Sequence, residues 1–360
     1  MAASRDTRKE GSLPTDMNPA IVVIDSLMRG VGQVMFQNNP ITGLLFLFGI
    51  FINSNKNALS ALLGLVVASL AAYLLGADRT LIRNGLFGFN GVLTGIALSV
   101  FLEWDWHVAV YIVLGAIVST IVMMGLARLL ISRDMAPLTA PFVLTAWLLL
   151  FALYQFAQLH PTELIGPMPV HPGAAIQTDL QEAAGGAGPG GLTAANLANA
   201  FFRGVGEVFL QDNLWTGAVF AIAILVNSRV CFGFALLGSA LGGLTALVLG
   251  GDGITIYHGL YGFNAVLTAI AIGGRPDRLA CPRRFLALTR WSTIYALIGA
   301  IFSAIVFAAI AVGLSPIGMP ALTAPFVLTT WIFLLPTAGS RAPQPVSVAE
   351  VRSQRLAREE

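Results

Sequence analysis

Charge is what this sequence most conspicuously lacks. Only 11% of its 360 residues are Asp, Glu, Lys or Arg, against about 25% in a soluble domain, which excludes a water-soluble globular chain. The net charge of +2, with no basic aromatic patch, gives no footing for nucleic acid. The two cysteines, Cys231 and Cys281, share no C-x-x-C spacing, which argues against a disulfide, metal or redox motif. The histidines His107, His160, His171 and His258 stand at run ends or in a linker, and no H-E-x-x-H or paired carboxylate accompanies them. No nucleophile–base or metal constellation is visible, so an enzyme and a cofactor are not expected. The opening "MAASRDTRKEGSLPTDM" also lacks the apolar run of a cleavable signal peptide, so the amino terminus is expected to stay in the cytoplasm.

What fills the chain instead is apolar surface. Hydrophobic residues make up 56% of it, and the mean hydropathy is +0.78. One helical crossing takes roughly 20 apolar residues, and the 38 glycines suit helices that approach closely in a bilayer. The expected class is an all-α polytopic membrane protein with membrane lipid as its surroundings. Apolar runs lie at 20–37, 40–53, 57–76, 84–102, 107–131 and 137–158, then at 193–212, 214–228, 231–249, 258–273, 291–313 and 320–337. Between the two sets lies "GPMPVHPGAAIQTDLQEAAGGAGPGG", without a Lys or Arg, a linker by composition. The organisation is an amino-terminal tail at 1–19, a first membrane repeat at 20–158, an extracytoplasmic linker at 159–192, a second repeat at 193–338 and a tail at 339–360.

The two sets are copies. "GVGQVMFQNN" from Gly30 matches "GVGEVFLQDN" from Gly204 at six of ten positions, and "NGLFGFNGVLTGIAL" from Asn84 matches "HGLYGFNAVLTAIAI" from His258 at ten of fifteen, both at an offset of 174. "LTAPFVLTAW" from Leu138 returns as "LTAPFVLTTW" from Leu322, nine of ten, at an offset of 184. Cytoplasmic loops collect Lys and Arg, and this decides the relative orientation. If the first run of each half does not span and the other five do, seventeen of the twenty basic residues fall on one side with both termini. An odd number of crossings inverts the second copy. The expectation is two inverted-repeat halves, each of five transmembrane helices plus one short re-entrant pore helix, with both termini cytoplasmic.

The non-spanning first runs point to a site. "GVGQVMFQNNP" is interrupted by glycine and closed by Gln37, Asn38, Asn39 and Pro40, and broken helix at membrane depth is tolerated only in protein or beside a water-filled cavity. Thr139 and Thr323 each precede a proline by two residues, a pattern for a helix start. Two inverted copies aim two such starts at one midplane, although the threonines also suit plain capping. Gln33 and Glu207 are equivalent positions within these apolar segments. An intramembrane carboxylate is a functional hypothesis by default, with a structural pair of Arg203 and Glu207 as the alternative. Phe36, Phe89 and Phe263 recur beside these polar residues. They serve either packing or a slot between flat rings, which admits a small, neutral, planar, hydrogen-bonding solute.

"NNPITG" at Asn38, "NGLFGFNGVLTG" at Asn84 and the doubled "LTAPF" at Leu138 and Leu322 resemble the urea transporter family, over roughly residues 20 to 338. The resemblance implies a homotrimer with one pore per protomer, passive channel-type passage of urea, two phenylalanine slots and a ladder of oxygen atoms. By position, Gln33, Glu207, Thr139 and Thr323 match the polar pore residues. Phe36 with Phe263, and Phe89 with the residue at 210, match the slots. Leu93 and Leu267 match the apolar pore wall, and Val208 lies beside Glu207 in the same lining. Leu210 departs from the family, standing where a phenylalanine completes one slot. The second copy reads "QDNLWTG" where the first has "QNNPITG", without the proline. The short loops point to a bacterial inner membrane. A channel for ammonia, short amides or water, or an ion-coupled transporter using Glu207, stands as the alternative.

Overall fold

The computed structural model describes residues 18–130, 135–164, 193–274 and 290–337. The tails, most of the linker with His171, the loop at 131–134 and the arginine-rich stretch with Cys281 lie outside them. Among the described residues the regular structure is helical, apart from one bridge between Leu102 and Pro161.

The first half contains α1 (Pro19–Gln33), α2 (Pro40–Asn53), α3 (Asn55–Leu74), α4 (Arg79–Arg83), α5 (Gly88–Phe101), α6 (Trp106–Leu130) and α7 (Ala140–Ala152). The second repeats the order with α8 (Ala194–Gly206), α9 (Leu214–Asn227), α10 (Arg229–Leu249), α11 (Gly253–Tyr257), α12 (Gly262–Gly273), α13 (Arg290–Leu314) and α14 (Ala324–Leu334). The helix starts are written in the same residues twice. Asn39 accepts hydrogen bonds from the amides of Ile41 and Thr42, and Asn213 from those of Trp215 and Thr216. An asparagine cap of this kind satisfies two orphan donors, which explains why α9 starts cleanly without the proline of α2.

Four helices, of 20, 25, 21 and 25 residues (α3, α6, α10, α13), reach roughly 30–38 Å, the thickness of a hydrocarbon core. Among the described residues these four are long and apolar enough to cross a membrane, and five if the bent pair α8–α9, folded by 72°, counts as one span. Helices α5, α7, α12 and α14 have only 14, 13, 12 and 11 residues, about 17–21 Å, and each begins at a buried residue. The size pattern is that of a lipid-facing protein. α3 buries Ala61, Gly64, Ala68 and Ala72 and exposes Leu59, Val66 and Leu70. α6 exposes Val110, Leu114, Ile117 and Ile121 along one stripe. Small residues inside bring backbones together, while large apolar ones outside suit lipid and not water.

The halves meet through reciprocal contacts. Thr42 Oγ1 donates to the Ala223 carbonyl at 3.0 Å, and its counterpart Thr216 donates to Gly49, the counterpart of Ala223, at 2.9 Å. The start of each helix thus meets the end of the other, so α2 and α9 run antiparallel. Phe46 and its counterpart Phe220 meet edge to face at 5.1 Å, and both touch Phe209. The threonine-to-carbonyl bond is therefore made twice, once from each half.

Phe220→Ala removes a fully buried ring from this seam and is expected to cost about 3 kcal/mol. A lowered thermal midpoint in detergent checks it, with exposed Phe48→Ala as the control that shifts little.

Candidate functional site

Both copies of the first apolar run end in a break, but not at the glycines expected to interrupt them: the helices run through Gly30 and Gly32, and through Gly204 and Gly206. Helix α1 stops at Gln33, and Glu207 directly follows α8. The chain then doubles back: the Gln37 amide donates to the Gly32 carbonyl at 2.9 Å, and Gln211 to Gly206 at 3.3 Å. Glycine is required there, because a Cβ on Gly32 or Gly206 would overlap the carbonyl oxygen of Gln37 or Gln211. The reversal puts Phe36 at φ 62° and Leu210 at φ 56°. Leu138 and Leu322, just before the threonines, adopt φ 55° and 50°. These are the non-glycine residues with positive φ among the described residues, and they form two repeat-related pairs. Left-handed backbone costs a residue with a Cβ roughly 1–2 kcal/mol, and such strain concentrates at functional sites.

The two threonines meet. Thr139 Oγ1 and Thr323 Oγ1 share a hydrogen bond of 2.7 Å, both side chains being buried. Each occupies the cap position of its helix, yet neither hydroxyl makes a capping bond. The cap comes from elsewhere: Asn90 Oδ1 on α5 accepts from the Phe142 amide at 3.2 Å, and Asn264 Oδ1 on α12 accepts from Phe326 at 3.0 Å. Trp147 Nε1 donates to the Pro320 carbonyl at 2.8 Å, and Trp331 Nε1 to Ala136 at 3.0 Å. The last residue of each doubled phrase therefore holds the approach to the other. Asn90 and Asn264 were missed in the sequence, although the shared "GFN" within the second repeat motif marks them.

Gln33 is buried. Its Nε2 donates to the Asn84 carbonyl at 2.8 Å, while its Oε1 is buried with no hydrogen-bond partner among the described residues. Glu207 is likewise buried. The ion pair of Arg203 among the described residues is with Asp212 and not the Glu207 weighed from the sequence: Arg203 binds Asp212 at 2.8 Å, stacks over Tyr257 at 4.6 Å, and lies 3.1 Å from His258 Nδ1. The reason is the reversal after Gly206, which brings Asp212 back onto the helix. Arg29 does the same work in the first half, donating to Asn38 and pairing with Asp25 at 2.6 Å.

Phe89, Leu93, Val208, Phe263 and Leu267 are buried, and Phe36 and Leu210 are partly buried. Phe36 meets Phe326 edge-on at 6.0 Å, and Phe263 meets Phe307 at 5.8 Å. Neither partner was selected from the sequence. Among the described residues no group of three or more His, Cys, Asp or Glu is placed to hold a metal.

Apolar helices with lipid-facing outer stripes, enclosing a buried seam of hydroxyls and amides, define a multi-pass membrane protein. The urea transporter family profile matches residues 24–338, and the chain belongs to that family. It is similar to Urea transporter 1 of Ovis aries, 32% identical over 325 residues, covering 89% of this chain and 79% of that protein. The same protein of Rattus norvegicus is 33% identical over 317 residues, covering 87% and 77%. The chain is accordingly a membrane transport protein and not an enzyme.

Asn264→Leu leaves the Phe326 amide buried without an acceptor, which is expected to cost about 1–3 kcal/mol. The readout is loss of folded protein on size-exclusion chromatography after a heat step, with Asn264→Asp, which keeps the acceptor oxygen, falling between the variant and wild type.

Proposed function

We propose that the chain conducts urea passively across a bacterial inner membrane, through a passage at the seam between two inverted halves, with both termini cytoplasmic and the linker outside. The antiparallel pairing of α2 with α9 by reciprocal hydrogen bonds supports the inversion. The distribution of arginine supports the orientation. A homotrimer, each protomer with its own passage, follows from the family resemblance.

The observation that carries the reading is the threonine pair. Two helix starts are brought tip to tip inside the protein, and their hydroxyls bond to one another and not to their own helices. A hydroxyl has one donor and two acceptor sites, so each keeps the capacity to take a solute N–H in exchange for its neighbour. Helix amino termini bear partial positive charge. Two of them facing one point disfavour a cation there and favour a carbonyl oxygen. The unpaired Oε1 of Gln33 and the Glu207 carboxyl extend the acceptor set, with Leu93, Leu267 and Val208 as apolar wall. Phe36 with Phe263, and Phe89 with Leu210, form the slots. A planar molecule with four N–H donors and one carbonyl acceptor suits such a passage, and a hydrated ion does not.

Leu210 favours a second reading, a channel for another small neutral solute, because an aliphatic side chain leaves one slot without its second ring. The ion-coupled alternative is weaker. The counterpart of Glu207 is an uncharged amide, and the neighbouring acid Asp212 is held by Arg203.

Stopped-flow light scattering on proteoliposomes tests the proposal. Urea permeability is expected well above that of empty vesicles and unchanged by an imposed proton gradient, sodium gradient or membrane potential. Permeability equal to that of empty vesicles, with another neutral solute passing, would overturn the urea assignment in favour of the second reading. Thr139→Val and Thr323→Val keep shape and delete one hydroxyl each, and each is expected to cut urea flux about three- to tenfold, the value of one net hydrogen bond. Wild-type flux in both variants at equal protein amount reduces the pair to packing.

A further inference from the structure

Two glutamines outside the polar pore set have the geometry of a latch. Gln37 is fully buried. Its Nε2 donates to the Met35 carbonyl at 2.7 Å, so the side chain reaches back over the left-handed residue Phe36. Its Oε1 accepts from Asn227 Nδ2 at 2.8 Å, and Asn227 is the last residue of α9 in the opposite half. The counterpart Gln211, also fully buried, does the same in reverse. Its Nε2 donates to the carbonyls of Phe209 and Leu210 at 2.7 and 3.0 Å, bracing left-handed Leu210. Its Oε1 accepts from Asn53 Nδ2, at the end of α2, at 2.9 Å and from Asn57 Nδ2 at 3.4 Å.

Each carboxamide thus uses both ends. One end holds the strained turn that aims residue 36 or 210, and the other is tied across the seam. Backbone of this kind persists only where its surroundings over-determine it, and a buried amide with donor and acceptor both engaged is such a constraint.

We propose that Gln37 and Gln211 are positioning residues that set the bore at Phe36 and Leu210 and link it to the opposite half through Asn227 and Asn53. The inference rests on the reading that residues 36 and 210 line the passage. A slot aimed by a contact between halves changes its width when the halves shift, so the latch governs which solutes fit before it governs how fast urea moves.

The test measures permeability to urea and to the wider N,N′-dimethylurea in proteoliposomes of wild type, Gln37→Leu, Asn227→Leu and the double variant, at matched amounts of folded protein. The dimethylurea-to-urea ratio is expected to rise at least fivefold in Gln37→Leu. It should rise two- to threefold in Asn227→Leu, where the bond to Met35 survives. The double variant should match Gln37→Leu alone, because the two residues act through one contact. A merely structural role lowers the yield of folded protein and leaves the ratio unmoved. If Gln37→Leu does not fold, Asn227→Asp, which removes the donor and keeps the size, decides with the same expected two- to threefold rise. Ratios within a factor of 1.5 of wild type in the folded variants, or a double variant whose effect is the product of the singles, overturn the latch while leaving a urea-conducting wild type intact. A wild type that does not conduct urea overturns the channel reading itself, and the latch with it.

Discussion

A helix that stops inside a bilayer leaves amides and carbonyls that lipid cannot satisfy, and most of this structure follows from that one constraint. The breaks after α1 and α8 and the buried starts of α7 and α14 create such orphans in repeat-related pairs. Asn90 and Asn264 accept the Phe142 and Phe326 amides in the first turns of α7 and α14 from neighbouring helices. Gln37 and Gln211 take the carbonyls of the reversals, and the two tryptophans take the segments that lead into the threonines. The hydroxyls of Thr139 and Thr323 are thereby relieved of capping duty. A polar group freed of structural work at the meeting point of two helices is what a passing solute needs.

The same constraint explains why the halves cannot be understood singly. Several of these bonds run from one half to the other: the threonines of α2 and α9, the glutamine–asparagine ties, and the tryptophans. Cutting any of them strands a partner as well, and a stranded buried group costs more than the bond itself contributes.

Much of this was legible in the sequence, for a physical reason. Helix existence depends on local hydrophobicity and local caps, and both are written along the chain. The twelve apolar runs therefore fall on helices, and the interruptions at Gln37–Pro40 and its counterpart fall on breaks. The equivalence of Thr139 with Thr323, and of Gln33 with Glu207, was visible as aligned letters. What was not visible is who meets whom through space. The sequence offered Glu207 to Arg203 because they stand four residues apart on a helix. The fold offers Asp212, because the chain reverses between them. Asn264 caps a helix that begins 60 residues later, and no window of sequence holds both. Phe326 and Phe307 were passed over for a related reason. A phenylalanine in an apolar run gives no hint of its direction until the helices are packed.

The reciprocal seam has an evolutionary consequence. In a symmetric pair of separate chains every substitution is made twice, and a change welcome on one side is forced on the other. Fusing the copies into one polypeptide lifts that condition. Position 33 keeps a neutral amide while its twin at 207 carries an acid, and Asn38 and Asn84 face an aspartate and a histidine at 212 and 258. The two copies keep the same letters at the threonine pair and at the asparagines that serve α7 and α14, and differ at 33 and 207, at 38 and 212 and at 84 and 258.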